Sequence, residues 1–167
     1  VENIEVGVKP TSFIKKVKKN TDKPIVFYGT SITQGGCASR PGMAHTNIIS
    51  RKLDIDVINF GFSGNGRMEE PIAKLISESD PLFYVIECMP NMINPENVSN
   101  NTIPLVKIIR KKNSDSPIVF VDLFKSSFSA LDKKGQKYTE AMNLALKHEY
   151  QKMRDAGYRN IFYVDSK

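Results

Sequence analysis

Five short apolar runs, rich in β-branched and aromatic residues, are spread between residues 25 and 164. Near-continuous hydrophobicity over a few residues is typical of strands buried on both faces of a parallel sheet. The runs cover residues 25–28, 57–60, 82–86, 118–123 and 161–164. Each is therefore predicted to be a buried strand.

Stretches of helical periodicity separate these runs. Asn94 is a predicted N-cap and Pro95 a predicted first helical residue, Pro104 is expected to bend the helix, and Gly157 is a predicted helix terminator. The stripes consist of Val98, Thr102, Leu105, Val106 and Ile109, then Tyr138, Met142, Leu146, Tyr150 and Met153, and shorter helices are predicted at 44–53 and 68–77. Strands thus alternate with helices along the chain.

This alternation predicts an α/β fold, a three-layer, doubly wound, five-stranded parallel sheet with helices on both faces. Five strands favour the flavodoxin-like order 2-1-3-4-5. In such sheets ligands bind beyond the carboxyl ends of the strands, at the switch point between strands 1 and 3. The functional residues are therefore expected directly after these strands.

The N-terminal segment does not follow this rhythm. Ile4, Val6 and Val8 alternate with polar residues as in an isolated strand, and a lysine-rich stretch follows. We interpret residues 1–20 as the tail of a preceding β-rich domain plus a linker, and residues 21–167 as the α/β domain.

Composition narrows the function classes. The 167-residue chain has a net charge of +6, but its lysines are dispersed apart from those at 15–19, and aromatic residues are not interleaved with them. Nucleic-acid binding is therefore not expected, and no apolar run is long enough to span a membrane. Cys37 and Cys88 lack metal-ligand spacing, so no metal or cofactor is expected, while a single disulfide bridge stays open.

Candidate chemistry follows the first three strands. Ser31 comes after strand 1, a glycine-rich loop at 59–66 after strand 2, and Asn91 after strand 3. Together they supply a nucleophile and three oxyanion donors, namely the Ser31 N–H, a backbone N–H of the glycine-rich loop and the Asn91 amide. This set of groups is what acyl transfer requires.

These three loops resemble the first three sequence blocks of the SGNH (GDSL-type) hydrolase family. Residues 29–31 resemble the G-D-S block with Thr30 in place of Asp. Asn59, Gly61 and Gly64 resemble the N-x-G-x-S-G block, and the resemblance implies that Gly64 is the oxyanion glycine. Asn91 resembles the asparagine of the third block, although it lies in M-P-N-M instead of G-x-N-D.

The resemblance covers roughly residues 23–167, and the phrase YGTSITQGG is similar to a subset of two-domain bacterial proteins with a β-rich domain before the hydrolase. It implies a carboxylic ester hydrolase with an acyl-Ser31 intermediate, acting on small acyl groups such as acetyl on a carbohydrate. Export to the periplasm or medium is also implied.

One departure concerns the catalytic base. The family carries Asp and His in a D-x-x-H block after the fifth strand, whereas this chain ends at Asp165-Ser166-Lys167. We expect the catalytic His and Asp beyond Lys167, and we expect the fragment to bind ligands but to hydrolyse them poorly.

Four further residues near the loops are candidates for substrate binding: Thr30, Arg40, His45 and Arg67. For the arginines, a surface or structural role is the alternative, and His45 is also a candidate substitute base. His148 is expected to be exposed, because it faces away from the apolar stripe of its helix.

Other readings stay open. Ser31 could simply cap a helix. Ser63 is a weak rival nucleophile, because its segment at 61–65 differs from the G-x-S-x-G elbow only at the last position, where Asn65 replaces glycine. A non-catalytic ligand-binding module on the same fold is the alternative function. A flavodoxin-like flavin protein is a weaker one, because the hydroxyl-rich loop at 29–34 suits a phosphate but the chain has no Trp to stack a flavin.

Overall fold

A five-stranded parallel sheet forms the centre of the computed structural model, which describes residues 3, 5–15, 23–125 and 131–166. The strands are β1 (Ile25–Gly29), β2 (Val57–Gly61), β3 (Phe83–Glu87), β4 (Ile118–Val121) and β5 (Ile161–Val164). Their order is β2-β1-β3-β4-β5, and all pairs are parallel. The predicted α/β fold and strand order are confirmed.

Five α-helices connect the strands of the described residues. They are α1 (Ser31–Gln34), α2 (His45–Leu53), α3 (Glu70–Ser77), α4 (Pro95–Lys112) and α5 (Lys133–Asp155), with 3₁₀ turns at Pro41–Met43 and Met89–Asn91. The Asn94 side chain accepts the Asn97 N–H at 2.8 Å, which confirms the predicted N-cap. The predicted end of α5 is also confirmed, because Gly157 follows it with a φ of +83°.

The two largest differences between predicted and observed boundaries have identifiable reasons. α3 starts two residues later than the pattern predicts, because Met68 has a left-handed φ of 62° and Glu69 is extended. β4 ends two residues earlier, because Asp122 and Leu123 lie past the last paired residue, Val121. α4 continues through Pro104, and the bend there stays a prediction.

The two faces of the sheet are covered differently. On one face, the side chains of Tyr28, Ile86 and Phe120 are fully buried in a cluster that includes residues of α3, α4 and α5. On the other face, α2 lies against the first strands, and the ring of His45 meets that of Phe27 at 5.8 Å. Phe162 of β5 also lies on this second face, and it is 51% exposed.

The N-terminal segment is separate from this packing. Residues 5–15 contain no strand, and Val6 and Val8 are exposed. Ile4 and residues 16–20, which include most of the lysine-rich stretch, lie outside the described residues. The division into residues 1–20 and 21–167 therefore stays a prediction.

Among the helices that the structure describes, none is both long and apolar enough to cross a membrane. The same residues contain no group of three or more His, Cys, Asp or Glu side chains that could hold a metal ion.

Candidate active site

Ser31 is the first residue of α1 and is separated from the end of β1 only by Thr30. Thr30 is the N-cap, and its hydroxyl accepts the Ile32 N–H at 3.2 Å. The helix closes after a single turn at Gly35, which has a φ of +86°. Ser31 is half-buried, so it lies at the carboxyl edge of the sheet within reach of solvent.

The side-chain carboxylate of Glu87, the last residue of β3, holds the turn that carries Ser31. Glu87 accepts hydrogen bonds from the Thr33 hydroxyl at 2.7 Å, the Thr30 hydroxyl at 3.0 Å and the Thr30 N–H at 3.3 Å. Thr30 and Thr33 are completely buried. Charge-assisted hydrogen bonds of this kind are stronger than neutral ones, so Glu87 restrains the turn on both sides of Ser31.

Sequence analysis missed Glu87. The one sequence feature that points to it is its position directly after the apolar run at 82–86. A carboxylate is usually exposed to solvent, so this position by itself does not predict a buried hydrogen-bonding role. Thr30, a candidate for substrate binding, is placed beneath the turn with its hydroxyl engaged by Glu87 and Ile32.

A side-chain amide on β2 holds the turn laterally. Asn59 Nδ2 donates to the Thr33 carbonyl at 2.7 Å and to the Thr46 hydroxyl at 3.0 Å, while its Oδ1 accepts the Gly61 N–H at 2.9 Å. A Cβ at Gly61 would lie 2.1 Å from the Gln34 nitrogen, so only glycine fits there. The hydrogen bonds of Asn59 and the close packing at Gly61 therefore hold α1 and α2 against β2.

The glycine-rich loop after β2 carries Gly64 at its exposed tip, with a φ of +69°. Arg67 Nη2 donates to the Gly64 carbonyl at 2.8 Å, and its Nε is buried without a hydrogen-bond partner. A Cβ at Gly66 would lie 2.1 Å from the Gly29 carbonyl, so the loop passes directly over the end of β1. Gly64 is thereby held on the same edge as Ser31.

Asn91 ties β3 to this loop. Its Nδ2 donates to the Phe62 carbonyl at 3.2 Å and also to the Asn65 carbonyl. Both amide hydrogens are thus directed at the loop that carries Gly64. The structure brings Ser31, Gly64 and Asn91 to one edge of the sheet, and it shows the Asn91 amide as a tether of the loop.

The half-buried Glu69 and the buried Tyr28 support the far end of the loop. Glu69 accepts the Arg67 N–H at 2.6 Å and the Tyr28 hydroxyl. Burial opposes ionisation of Glu69, but the hydrogen bonds from Tyr28 and Arg67 outweigh it and lower the pKa of this carboxyl. Burial, together with the hydrogen bond to Glu69 and the charge of that carboxylate, raises the pKa of Tyr28. Glu69 is therefore a carboxylate near neutral pH and fixes the backbone at Arg67.

A cavity of about 240 Å³ opens beside Ser31, and His45 forms part of its wall. The other histidine, His148, is exposed on α5, as predicted. Arg40 is exposed and does not line this cavity. In the part of the chain that the structure describes, no hydrogen bond joins Ser31 to either histidine.

Neither cysteine is paired with the other, since Cys37 is exposed and free while Cys88 is buried and free. Burial raises the pKa of the Cys88 thiol. Asp165 lies further along the sheet edge, where it lines a separate cavity of about 220 Å³ with Asp122 and Tyr163.

Several known proteins have a structure similar to that of this chain. A protein described as a GDSL-like lipase from Bacteroides ovatus ATCC 8483 has a crystal structure similar to this chain, with a TM-score of 0.88 and 29% identity. The match covers 96% of this chain and 47% of that protein. The chain thus spans about half the length of this relative.

Two more distant structures share the fold. The salicylyl-acyltransferase SsfX3 from a tetracycline biosynthetic pathway has a TM-score of 0.77 and 20% identity, over 89% of this chain and 44% of its own. A family two carbohydrate esterase from Clostridium thermocellum, in complex with cellohexaose, has a TM-score of 0.66 and 14% identity, over 90% of this chain and 55% of its own. Among curated proteins, no sequence shows significant similarity to the chain.

A sequence profile of the GDSL-like Lipase/Acylhydrolase family matches residues 22–167. The match includes all five strands and the three loops that gather Ser31, Gly64 and Asn91. It favours a hydrolase over a flavin-binding protein. The chain belongs to the GDSL-like lipase/acylhydrolase family.

Proposed function

We propose that this chain is the nucleophile-bearing part of a serine carboxylic ester hydrolase. The observation that carries the proposal is the placement of Ser31 directly after β1, on the same sheet edge as Gly64 and Asn91. The hydrogen bonds from Glu87 and Asn59 support it, because they hold the serine turn rigidly. A rigidly held nucleophile on the same edge as backbone N–H donors favours acyl transfer, because such donors can stabilise the oxyanion.

In the proposed reaction, Ser31 Oγ attacks the ester carbonyl carbon while a base takes the hydroxyl proton. The tetrahedral oxyanion accepts hydrogen bonds from the N–H groups of Ser31 and Gly64 and from the Asn91 amide. When the oxyanion collapses, the alcohol leaves with the proton and an acyl-Ser31 ester remains. Water then hydrolyses this ester by the same route and releases the carboxylic acid.

Asn91 has to change partners in this scheme. Its amide donates to the carbonyls of Phe62 and Asn65, so one of these hydrogen bonds has to open for the oxyanion to be bound. Arg67 contributes by holding the Gly64 carbonyl, which orients the adjacent peptide group.

The proposal also includes the base that takes the proton from the Ser31 hydroxyl. The family resemblance points to the histidine of a D-x-x-H block outside residues 1–167, and residues 1–167 by themselves would then hydrolyse esters slowly. His45 is the alternative base, because it shares a cavity wall with Ser31. The resemblance also favours small acyl groups, such as acetyl on a carbohydrate, as the substrate class.

Fluorophosphonate labelling followed by intact mass tests the proposal. The probe is applied in parallel to the longest natural form of the protein and to residues 1–167, with Ser31→Ala as the matched control. We expect one adduct on the natural form, none on Ser31→Ala, and slower labelling of residues 1–167. Equal labelling rates of the two forms would place the base within this chain and favour His45.

A second candidate is a non-catalytic ligand-binding module. The occupied Asn91 amide favours it, and so does the fact that the Ser31 hydroxyl has no hydrogen-bond partner among the described residues. If a natural form with native circular dichroism acquires no adduct, the esterase proposal is wrong and this candidate replaces it.

A further inference from the structure

The side chain of Gln34, the last residue of α1, crosses from the serine turn to the glycine-rich loop. Its Oε1 accepts the Ser63 N–H at 3.2 Å. Ser63 directly precedes Gly64, the proposed oxyanion donor. The backbone from which this side chain starts is fixed, because the Gln34 N–H donates to the Thr30 carbonyl at 2.9 Å.

The tip of the glycine-rich loop is a β-turn formed by residues 62–65. The Asn65 N–H donates to the Phe62 carbonyl at 3.2 Å, and Gly64 has a φ of +69° at the third position, as a type II turn requires. Such a turn contains three peptide groups, and the Gly64 N–H belongs to the central one. The direction of this N–H therefore depends on the two peptide groups that flank it.

The later of these flanking peptide groups, between Gly64 and Asn65, is held at both ends. Its carbonyl accepts a hydrogen bond from Arg67 Nη2 at 2.8 Å. Its N–H makes the hydrogen bond that closes the turn. This side of the Gly64 N–H is therefore fixed without Gln34.

The earlier flanking peptide group, between Phe62 and Ser63, depends on Gln34. The Phe62 carbonyl accepts the Asn91 amide at 3.2 Å, and the Ser63 N–H donates to Gln34. Asn91 is itself a proposed oxyanion donor, so one of its two hydrogen bonds with the loop has to open in the reaction. The Gln34 hydrogen bond does not have to open, so it can hold this peptide group while the oxyanion is bound.

We propose that Gln34 is a positioning residue, which couples the serine turn to the glycine-rich loop and fixes the direction of the Gly64 N–H. The inference rests on the proposed esterase function and adds to that site a residue that does not touch the substrate. Removal of a direct oxyanion donor typically costs about 10² to 10³ in kcat. Gln34 acts through another residue and by one neutral hydrogen bond, so its removal should cost about fivefold.

Two variants remove this hydrogen bond in different ways. Gln34→Met keeps the length of the side chain without the carbonyl acceptor, and Gln34→Asn keeps the amide on a side chain that is one carbon shorter. Gln34 is exposed, so neither substitution opens a hole in the core. Gln151→Met is the matched control, because Gln151 is also exposed and its Nε2 donates to Asp155 within α5.

The first experiment measures kcat/KM of the longest natural form for p-nitrophenyl acetate, together with the Ki of two inhibitors. One inhibitor is a phenylethyl trifluoromethyl ketone, which adds reversibly to the Ser31 hydroxyl and forms an oxyanion. The other is the corresponding trifluoromethyl alcohol, which forms none. For both Gln34 variants we expect kcat/KM to fall about fivefold and the Ki of the ketone to rise by the same factor, with the Ki of the alcohol unchanged. Gln151→Met should leave all three values unchanged.

Fluorophosphonate labelling followed by intact mass distinguishes positioning from a contribution to stability. If Gln34 only stabilises the fold, its variants contain fewer molecules that can be labelled, while the folded ones react at the wild-type rate. We expect the opposite result for Gln34→Met and Gln34→Asn. Every molecule should acquire one adduct, at a rate about fivefold lower than in the wild type.

The outcomes separate the two proposals. If the natural form neither hydrolyses p-nitrophenyl acetate nor acquires a fluorophosphonate adduct, the esterase function itself fails. If it does react, three results would overturn the role of Gln34. They are a kcat/KM within about 1.5-fold of wild type in either Gln34 variant, an equal loss of affinity for the ketone and the alcohol, and a loss confined to the labelled fraction.

Discussion

Two carboxylates at the carboxyl edge of the sheet, Glu87 and Asp122, both accept hydrogen bonds from residues near the end of a neighbouring strand, but the segments that they hold differ. Glu87 at the end of β3 collects hydrogen bonds from Thr30 and Thr33, on either side of the candidate nucleophile. Asp122, just after β4, accepts a hydrogen bond from the Tyr163 hydroxyl at 2.6 Å and longer ones, at 3.4 Å, from the Ser166 N–H and hydroxyl. Each carboxylate thus ties its own strand to the segment at the end of a neighbouring strand.

The difference lies in what the tied segment carries. The Glu87 partners flank Ser31, so a change in their geometry moves the proposed nucleophile. The Asp122 partners join β5 to β4, two strands away from β1 in the sheet. We therefore expect the first carboxylate to control reactivity and the second to control stability.

The largest effect is expected for Glu87→Gln. The glutamine keeps the size of the side chain but loses the negative charge, so the hydrogen bonds that one Glu87 oxygen accepts from the Thr30 and Thr33 hydroxyls and the Thr30 N–H are weakened. Misplacement of a reacting group by about 1 Å can cost roughly 10²-fold in rate. The rate of fluorophosphonate labelling at Ser31 in the natural form should fall by that factor, with kcat reduced and KM for an ester nearly unchanged.

Glu87→Asp is the conservative partner of this variant and should recover part of the rate. A Glu87→Gln protein that labels as fast as the wild type would show that Glu87 only stabilises the fold.

The next effect is expected for Asp122→Asn, which should lower the free energy of unfolding by about 2 kcal/mol, because the Tyr163 hydroxyl and the Ser166 groups lose a charged acceptor. Urea unfolding followed by circular dichroism measures this. Labelling of Ser31 should stay within about threefold of wild type. A fall in the labelling rate as large as that of Glu87→Gln would contradict this comparison. It would mean that the hydrogen bonds at the end of β5 affect the reactivity of Ser31.

A smaller effect is expected for Tyr163→Phe, about 1 kcal/mol at neutral pH for the lost hydrogen bond. Burial, and then the hydrogen bond to Asp122, raise the pKa of Tyr163. The folded state therefore keeps a proton that the unfolded state releases above a pH of about 10. The stability from this proton is present below that pH and declines above it.

Urea unfolding at pH 8, 10 and 11 tests the sign. The wild type should lose stability over this range, and Tyr163→Phe should lose less. A residual decline is expected in the variant, because burial also raises the pKa of Tyr84, to about 12. An identical slope in the two proteins would show that Tyr163 titrates normally.

The smallest effect is expected for Ser166→Ala. Its contacts with Asp122 are both 3.4 Å long, and its hydroxyl makes one shorter hydrogen bond, to the Leu123 carbonyl at 3.0 Å. A loss of about 0.5 kcal/mol is typical of such a half-exposed position. A loss above about 2 kcal/mol would mean that Ser166, and not Tyr163, is the principal partner of Asp122.

Much of the fold could be predicted because its strands are buried on both faces. Runs such as 161–164 coincide with their strands, and the apolar stripe of α4 is buried as expected. The failures came where backbone conformation overrode the pattern. Met68 adopts a left-handed conformation that no apolar periodicity reveals, and it delays α3.

The candidate site could be predicted only in part. The blocks around Ser31, Gly64 and Asn91 are local in sequence, so a motif finds them. Glu87 belongs to no such block, and its partners Thr30 and Thr33 lie 57 and 54 residues away. The hydrogen bonds of Asn91 to the glycine-rich loop are equally non-local.

The sequence by itself determined the fold class, the strand order and the identity of the three site loops, because hydrophobic burial and loop motifs act over short stretches of chain. The tertiary structure alone decided which polar groups pair. The register that aligns Gly29 with Glu87 places the carboxylate under the serine turn, where a Cβ on residue 29 would lie 2.7 Å from its oxygen. Hydrogen bonds depend on distances of a few tenths of an ångström between residues far apart in the chain, and only the packed sheet sets those distances.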